Sequence, residues 1–481
     1  MTASAPDSAP SESVFAPIKQ YFLDFKVLGD NPKEFWLIQT VNLLDLTAYF
    51  SMIATITLFL TGNIGMSEVN SGYTVTAFTA LLTLVLPFAG AVTDSLGIKR
   101  SLIVAMTIQF ATRLGIVYCG FAPDLPGRGW MVVALLVLGA PGMGMTQTIY
   151  QAANRRFSSG RSRSASFNVW YLVMNMGGVA AGLMVDLIRK TLDIDITWIF
   201  IFGAIACVLS IGVAFFITRE GQVLGEGEVE DEEETGPKKK PMEILKSVVQ
   251  ETAFWRFLVL MFSLLGVRAV FAYMYLIMPL YWVRVIEEVS GEKTDQGFLQ
   301  ALNPILIVCG LILFIPFANK FNVFKMLVFG AMISALSLVC MVLPPDMYAN
   351  EMHVGYFRMS VAMLVVLSIG EVFWSPKLTE YTAAIAPKGQ EGTYLGMSMM
   401  PWFLAKLAVG FLSGHMIDRW VPVGIGKRLL AGEVEFWDRP EAMWLILLVW
   451  AMSGPILAWI FRSWLTEGAN LDPSTKGGSS S

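Results

Sequence analysis

Apolar runs long enough to cross a bilayer recur along almost the whole of this chain. About 20 residues of helix span the hydrocarbon core, so each such run reads as a membrane-spanning helix. About twelve can be counted, in 36–62, 72–94, 100–121, 130–153, 166–187, 196–218, 256–284, 298–317, 326–343, 359–385, 394–417 and 441–464. A length of 481 residues would otherwise suggest about three soluble domains. Composition overrules that reading. The chain is 55% hydrophobic and 15% charged, with a mean hydropathy of +0.59, whereas soluble domains carry about a quarter charged residues. A soluble enzyme, a DNA-binding protein and a disordered scaffold are thereby excluded. The net charge of −4 adds little, because the charges sit in loops and one linker.

The polar segments organise the spans. Residues 219–252 contain EGEVEDEEETGPKKK and separate two sets of six. The acidic run Glu226 to Glu234, followed by Lys238, Lys239 and Lys240, has nothing to bury and reads as a charged tether. The division is then a leader (1–35), a six-helix bundle (36–218), the linker (219–252), a second six-helix bundle (253–465) and a flexible tail (466–481). In the leader, Ile18, Tyr21, Phe22, Phe25 and Leu28 alternate with Lys19 and Lys26. This suits either an amphipathic surface helix or an ordered leader packed on the bundle. MTASAPDSAPSESV lacks the basic region and apolar core of a signal peptide.

Lys and Arg in short loops set orientation. With the N-terminus inside, first-half inner loops carry Lys99, Arg100, Arg155, Arg156, Arg161 and Arg163; outer loops carry only Arg128, Arg189 and Lys190. Both termini are therefore expected in the cytoplasm, with a bacterial inner membrane the simplest host. Cys119, Cys207, Cys309 and Cys340 fall inside apolar runs and read as buried small hydrophobes. Two histidines, His353 and His415, give no metal site. No nucleotide-binding loop, zinc spacing or hydrolase elbow is visible, so neither ATP hydrolysis, a cofactor, a nucleic-acid partner nor enzymatic catalysis is expected.

Between the second and third spans lies GAVTDSLGIKR, in which Gly90, Asp94, Gly97, Lys99 and Arg100 fit G-x-x-x-D-x-x-G-x-[KR]-[KR]. Gly97 permits a positive φ at the reversal, Gly90 close helix approach, and Asp94 a breakable pairing with a helix end or Arg. This resembles the signature loop of the major facilitator superfamily. The second-half counterpart, FANKFNVFK (317–325), keeps Lys320 and Lys325 but not the Asp or Gly. RSRSASFNVWYLVMNMGGVAAGLMV (161–185), ALNPILIV (301–308), GEVFWSPKL (370–378) and MSMMPWFLAKLAVG (397–410) resemble, in order and spacing, segments of the proton-dependent oligopeptide transporter family. The resemblance implies an all-α major facilitator fold of twelve helices in two halves. It also implies a secondary carrier working by alternating access around a mid-membrane site.

The first helix departs from that family. Where its peptide carriers have Glu-x-x-Glu-Arg and aromatics, this chain reads NLLDLTAYF, with Asn42, Asp45, Leu46, Tyr49 and Phe50. One acid survives, the peptide carboxylate clamp is altered, and the seventh helix offers Arg268 where an acid would stand. Ionisable residues at membrane depth mark function by default. Here they are Asp45, Arg113, Arg268, Glu371, Lys377, Glu380 and Lys406. Asp45 and Glu371 suit proton coupling. For Asp45 a static pair with Arg113 or Lys406 stands equally open. The cations Arg113, Arg268 and Lys406 favour an anionic or zwitterionic solute, such as a peptide or amino-acid derivative. Lys377 and Glu380 read as a gate at the cytoplasmic end of span ten. Tyr49, Gln147, Tyr150, Asn175, Tyr273, Tyr275, Asn303 and Trp374 complete the expected cavity; Gln147, Tyr150 and Asn154 share one face of span four. GAPGMG (139–144), Pro304, Pro376 and Pro401 are candidate bending points.

The expected partners are a small-molecule substrate, protons and membrane lipids, with the chain working as a monomer. Two rivals remain on sequence grounds. One is a lipid or amphiphile carrier of the same fold; the other is a non-transporting sensor or assembly subunit that kept it.

Overall fold

The computed structural model describes residues 25–219, 252–318, 321–385 and 400–467. The leader before Phe25, nearly all of the charged linker, Lys320 and the start of the methionine-rich segment near 397 lie outside these. The described chain is helical throughout its spans: α1 (Lys33–Leu58), α2 (Glu68–Leu96), α3 (Ile98–Phe121), α4 (Arg128–Arg156), α5 (Gly160–Asp186) and α6 (Trp198–Phe215), then a second series. That series is α7 (Thr252–Ser263 continuing as Leu265–Leu276), α8 (Gln296–Ala318), α9 (Val323–Leu336), α10 (Met352–Ile385), α11 (Met400–Trp420) and α12 (Pro440–Ile460). Among the described residues, nine helices are long and apolar enough to cross a membrane, and the bent α7 pair makes ten. Of the remaining two, α8 is apolar over Gln296–Gly310, and α11 carries Lys406 within its span.

In lipid each backbone N–H must find a partner within its own segment, which leaves the helix as the economical solution. The helices are apolar around most of their circumference, so burial reports position, not amphipathicity. In α1, 72% of the apolar window is buried; in α12 the share is 39%. α1 is therefore an inner helix, packed on α4, α5, α6 and α7, and α12 shows much of its surface to lipid. Each half packs within itself (α3 on α4 and α6, α9 on α10 and α12). The halves meet chiefly where α2 crosses α11 and α5 crosses α8, with α1 against α7 at the centre.

Glycine makes those two crossings close. A Cβ on Gly182 or Gly297 would collide with the other's carbonyl. A Cβ on Gly414 would sit 2.5 Å from the Glu68 carbonyl, and one on Gly72 2.9 Å from that of Gly410. Small residues let helix backbones approach where lipid gives no hydrophobic drive to associate.

The bending points differ from expectation. α4, α8 and α10 continue through Pro141, Pro304 and Pro376, and Pro304 instead packs against Gly178. The sharp bend, 44°, falls in α7 between Ser263 and Leu265. There Ser263 Oγ donates to the Val259 carbonyl at 2.7 Å, a back-bond that competes with the helix ladder. Gly266 beside it lets α12 approach within 2.7 Å of where a Cβ would stand. The cysteines also differ: Cys119 and Cys207 are buried, but Cys309 is exposed on α8 and Cys340 half-buried. An apolar run in a spanning helix therefore does not by itself place a position inside the protein. Of the leader, Phe25–Asp30 form a 3-10 turn, and Leu28 packs into the N-terminal bundle with Phe35 and Ile38.

Candidate functional site

The signature loop turns as its glycine predicts. Gly97 has φ 78° and ends α2 while starting α3. Lys99 Nζ donates to the Phe215 carbonyl at 3.0 Å, placing a cation at the negative end of α6. Arg100 is exposed; the Asp94 side chain lies outside the described residues. Gly90 does not serve close approach: a Cβ there would meet only Thr148 Cγ2, at 3.9 Å. The tight contact between α2 and α4 is at Gly144, whose Cβ would lie 2.7 Å from the Leu82 carbonyl. The second-half counterpart is built differently, on Asn322, whose side chain caps α9 by accepting from the Lys325 backbone N–H at 3.1 Å.

The intramembrane charges form two separate groups. The first lies inside the N-terminal bundle. Tyr150 Oη donates to Asp45 Oδ2 at 3.0 Å, and Arg113 and Gln109 from α3 and Thr146 from α4 surround the same carboxylate. Asp45 is 4% exposed. Arg113 is 1% exposed, and its Nη1 donates to the Gly203 carbonyl at 2.8 Å and to Cys207 Sγ at 3.0 Å. The structure therefore turns Arg113 toward α6 and Asp45, away from the boundary between halves. Gln39 Nε2 donates to Asn154 Oδ1 at 3.2 Å, one turn nearer the signature loop. The polar face of α4 thus finds α1; Gln147 stands half-buried on the same helix.

The second group lies where the halves meet. Asn303 Nδ2 on α8 donates to Glu371 Oε2 and to Ser368 Oγ, each at 3.0 Å. The Arg268 guanidinium lies over the Trp374 ring, 4.5 Å from its centroid, and the Trp374 indole N–H is held by Ser334 Oγ at 3.1 Å. Across the boundary, Tyr171 on α5 is within electrostatic reach of both Glu371 and Arg268. Asn175 donates to the Tyr171 carbonyl at 2.8 Å. Phe50 on α1 stacks on Tyr275 of α7 at 6.1 Å, and Tyr49 faces Tyr275 beside it. Lys406 is half-buried on α11. Tyr273 points elsewhere, donating to Met416 Sδ at 3.3 Å inside the C-terminal bundle. Lys377 pairs with Glu380 on α10 at 2.7 Å. Tyr171 was missing from the sequence reading, although it stands in the aromatic patch FNVWY; Gln109 and Thr146 gave no signal beyond being polar in an apolar run.

A third arrangement closes the end of the molecule distal to the signature loop. Arg189 pairs with Glu287 at 3.1 Å and donates to Gln296. Lys190 pairs with Asp295 at 2.5 Å, Lys293 with Asp193, and Arg284 with Glu68. Arg284 also donates to the Val421 carbonyl at 2.8 Å. The Asp186 carboxylate accepts the backbone N–H of Gly297 at 2.6 Å and of Phe298 at 2.8 Å. It thereby caps α8 from the other half. Each of these joins the first half to the second, or braces a group that does. Several lie on π turns, Leu187–Thr191 after α5 and Trp282–Glu287 beyond α7, whose extra residue per turn redirects the side chains.

A family model described as the Major Facilitator Superfamily matches residues 35–410. The chain belongs to the Major Facilitator Superfamily. It is accordingly a transporter by family and an integral, multi-pass membrane protein. Solved structures of this superfamily's shape include a mutant peptide transporter POT in complex with sulfate. It is 14% identical, covers 90% of this chain and 95% of its own, and has a TM-score of 0.69. A POT family transporter in complex with 5-aminolevulinic acid follows at 13% identity, 91% and 97% coverage and a TM-score of 0.67. A D-xylose-proton symporter stands at 15% identity, 92% and 98% coverage and a TM-score of 0.66. At such identities the likeness establishes the shared fold. Among curated proteins none matches the chain.

Proposed function

We propose that this superfamily member is a proton-coupled carrier that moves a small anionic or zwitterionic organic solute by alternating access. The observation that carries this reading is the group at the boundary. Arg268 and Glu371 from one half, with Tyr171 from the other, put both signs of charge where the halves meet. Charge at membrane depth is retained where it serves a pathway. A zwitterion offers an ammonium to Glu371 and a carboxylate to Arg268 and Lys406. Neighbours that bind sulfate or 5-aminolevulinic acid, as their names state, support an anionic or zwitterionic class.

In this reading the basic signature-loop end is cytoplasmic, so the ion pairs at the distal end close the outer mouth, and Lys377 with Glu380 belongs to the inner one. Glu371 and Asp45 take the proton roles. Arg113 leaves the substrate set and becomes the counter-charge of Asp45. The six-helix halves, 36–218 and 253–465, rock against each other with the 219–252 linker as tether.

The test is a thermal-shift panel of peptides, amino acids, organic anions and lipids at about pH 5.5 and about pH 7.5, since a ligand of the folded state raises stability by mass action. The reading expects an anionic or zwitterionic hit that is lost in Arg268→Gln and Lys406→Gln. Stabilisation by lipids alone would replace it with the lipid-carrier reading.

A further inference from the structure

The interior of the N-terminal bundle holds more polar chemistry than a counter-charge for Asp45 requires. Three stripes converge there: Gln39, Asn42 and Asp45 on α1; Ser101, Gln109 and Arg113 on α3; Thr146, Tyr150 and Asn154 on α4. Their spacings of three, four and eight put each stripe on one helix face. The Tyr150–Asp45 and Gln39–Asn154 hydrogen bonds lock α1 and α4 in register, so both stripes run toward the signature-loop end.

None of these side chains is more than 4% exposed. Yet both amide atoms of Asn42, together with Gln39 Oε1, Asn154 Nδ2, Ser101 Oγ and Arg113 Nη2, have no partner in the protein. Donors and acceptors are orphaned alike. Groups of that kind are strongly destabilising at membrane depth unless satisfied, and buried water satisfies them by both donating and accepting. A hard cation such as Na⁺ or Mg²⁺ fits worse: it takes oxygen ligands, and the Arg113 charge beside Asp45 opposes it.

We infer that the N-terminal bundle holds a file of ordered water running from Asp45 past Asn42 to Gln39 and Asn154, and that this file carries the coupling proton between the Asp45 carboxyl and the signature-loop end without entering the space between the halves. From Asp45 to Gln39 is about 9 Å of helix, the reach of about three waters. Asn31, bonded to Ser162 and Ser166 at 2.6 and 2.9 Å, supplies the next polar set in that direction. In each step a carboxyl or water O–H bond breaks as the next oxygen takes the proton. One proton moves, and nothing is oxidised or reduced. The carboxylate left behind faces Arg113 from α3, Tyr150 from α4, Cys207 from α6 and Tyr49 on its own helix. The inference rests on the reading of Asp45 as a coupling acid.

Two measurements test it. Hydroxyl-radical footprinting by X-ray pulse on the unaltered protein marks side chains beside bound water. Tyr150 and Tyr273 are equally buried, but Tyr150 should be oxidised about fivefold faster or more, because only it borders the file. Equal rates overturn the water file. Infrared spectroscopy then follows the protonated carboxyl band lost in Asp45→Asn. On transfer to deuterated buffer, Asn42→Leu and Asn154→Leu should slow its isotope exchange by about tenfold or more. Exchange at the unaltered rate overturns the route. Absence of any such band across the pH range would instead sink Asp45 as a coupling acid, leaving the footprint to decide the water.

Discussion

Asp45 and Glu371 are both carboxylates deep in apolar helices, yet they sit in different kinds of place. Every described neighbour of Asp45 belongs to its own half: Tyr150, Arg113, Gln109 and Thr146. Glu371 is held by Asn303 on its own side but senses Tyr171 on the other. A group enclosed in one bundle keeps its surroundings when the halves rock. A group at the boundary changes its surroundings each time. In the proposed mechanism the first holds and relays a proton, and the second links occupancy of the central site to movement.

The largest expected effect follows from the boundary. Arg268→Gln leaves Glu371 without its nearest described cation at membrane depth, and uptake in proteoliposomes should fall by about 100-fold or more. Arg268→Lys sharpens the point: near-normal uptake would show that charge suffices and that the planar fork over Trp374 is unused. Next is Asp45→Asn, which should lower accumulation relative to exchange by about tenfold or more. Equal loss of both, or of neither, would erase the division between an enclosed and a boundary carboxylate.

Closing of the distal end can be attacked through packing. Gly182→Leu forces a side chain against Gly297 and should favour the distal-open arrangement, cutting uptake by about tenfold. Distances between spin labels on the distal ends of α5 and α8 would report it, and unchanged distances would discount the crossing. The smallest effect belongs to Arg189→Gln. Its side chain and that of Glu287 are only 11% and 13% exposed, but Lys190, Lys293 and Arg284 hold the same end, so the closed population should shift by about fivefold or less.

How much of this was legible beforehand depends on the kind of information. Hydropathy located the long helices among the described residues. The expected span 100–121 became Ile98–Phe121, and 441–464 became Pro440–Ile460. The positive φ of Gly97 followed from its loop. What a nearly uniform apolar helix conceals is direction. Nothing around Arg113 in TIQFATRLG says that its guanidinium turns to Gly203 and Cys207. Nothing in FNVWYLVMN says that Tyr171, among its aromatics, reaches the partner bundle. Asp186 stood near the end of a span and gave no sign of capping α8.

The sequence by itself determined that the chain crosses a membrane many times, in two sets divided by a charged linker, because each apolar run must close its own hydrogen bonds in lipid and does so locally. It also determined which charges lie at depth. Only the tertiary structure decided how those charges divide, with Asp45 and Arg113 enclosed in one bundle and Arg268 and Glu371 at the seam. That division is set by the rotation of each helix about its axis. Rotation is fixed by contacts between residues far apart in the chain, such as Gly182 on Gly297 and Tyr150 on Asp45.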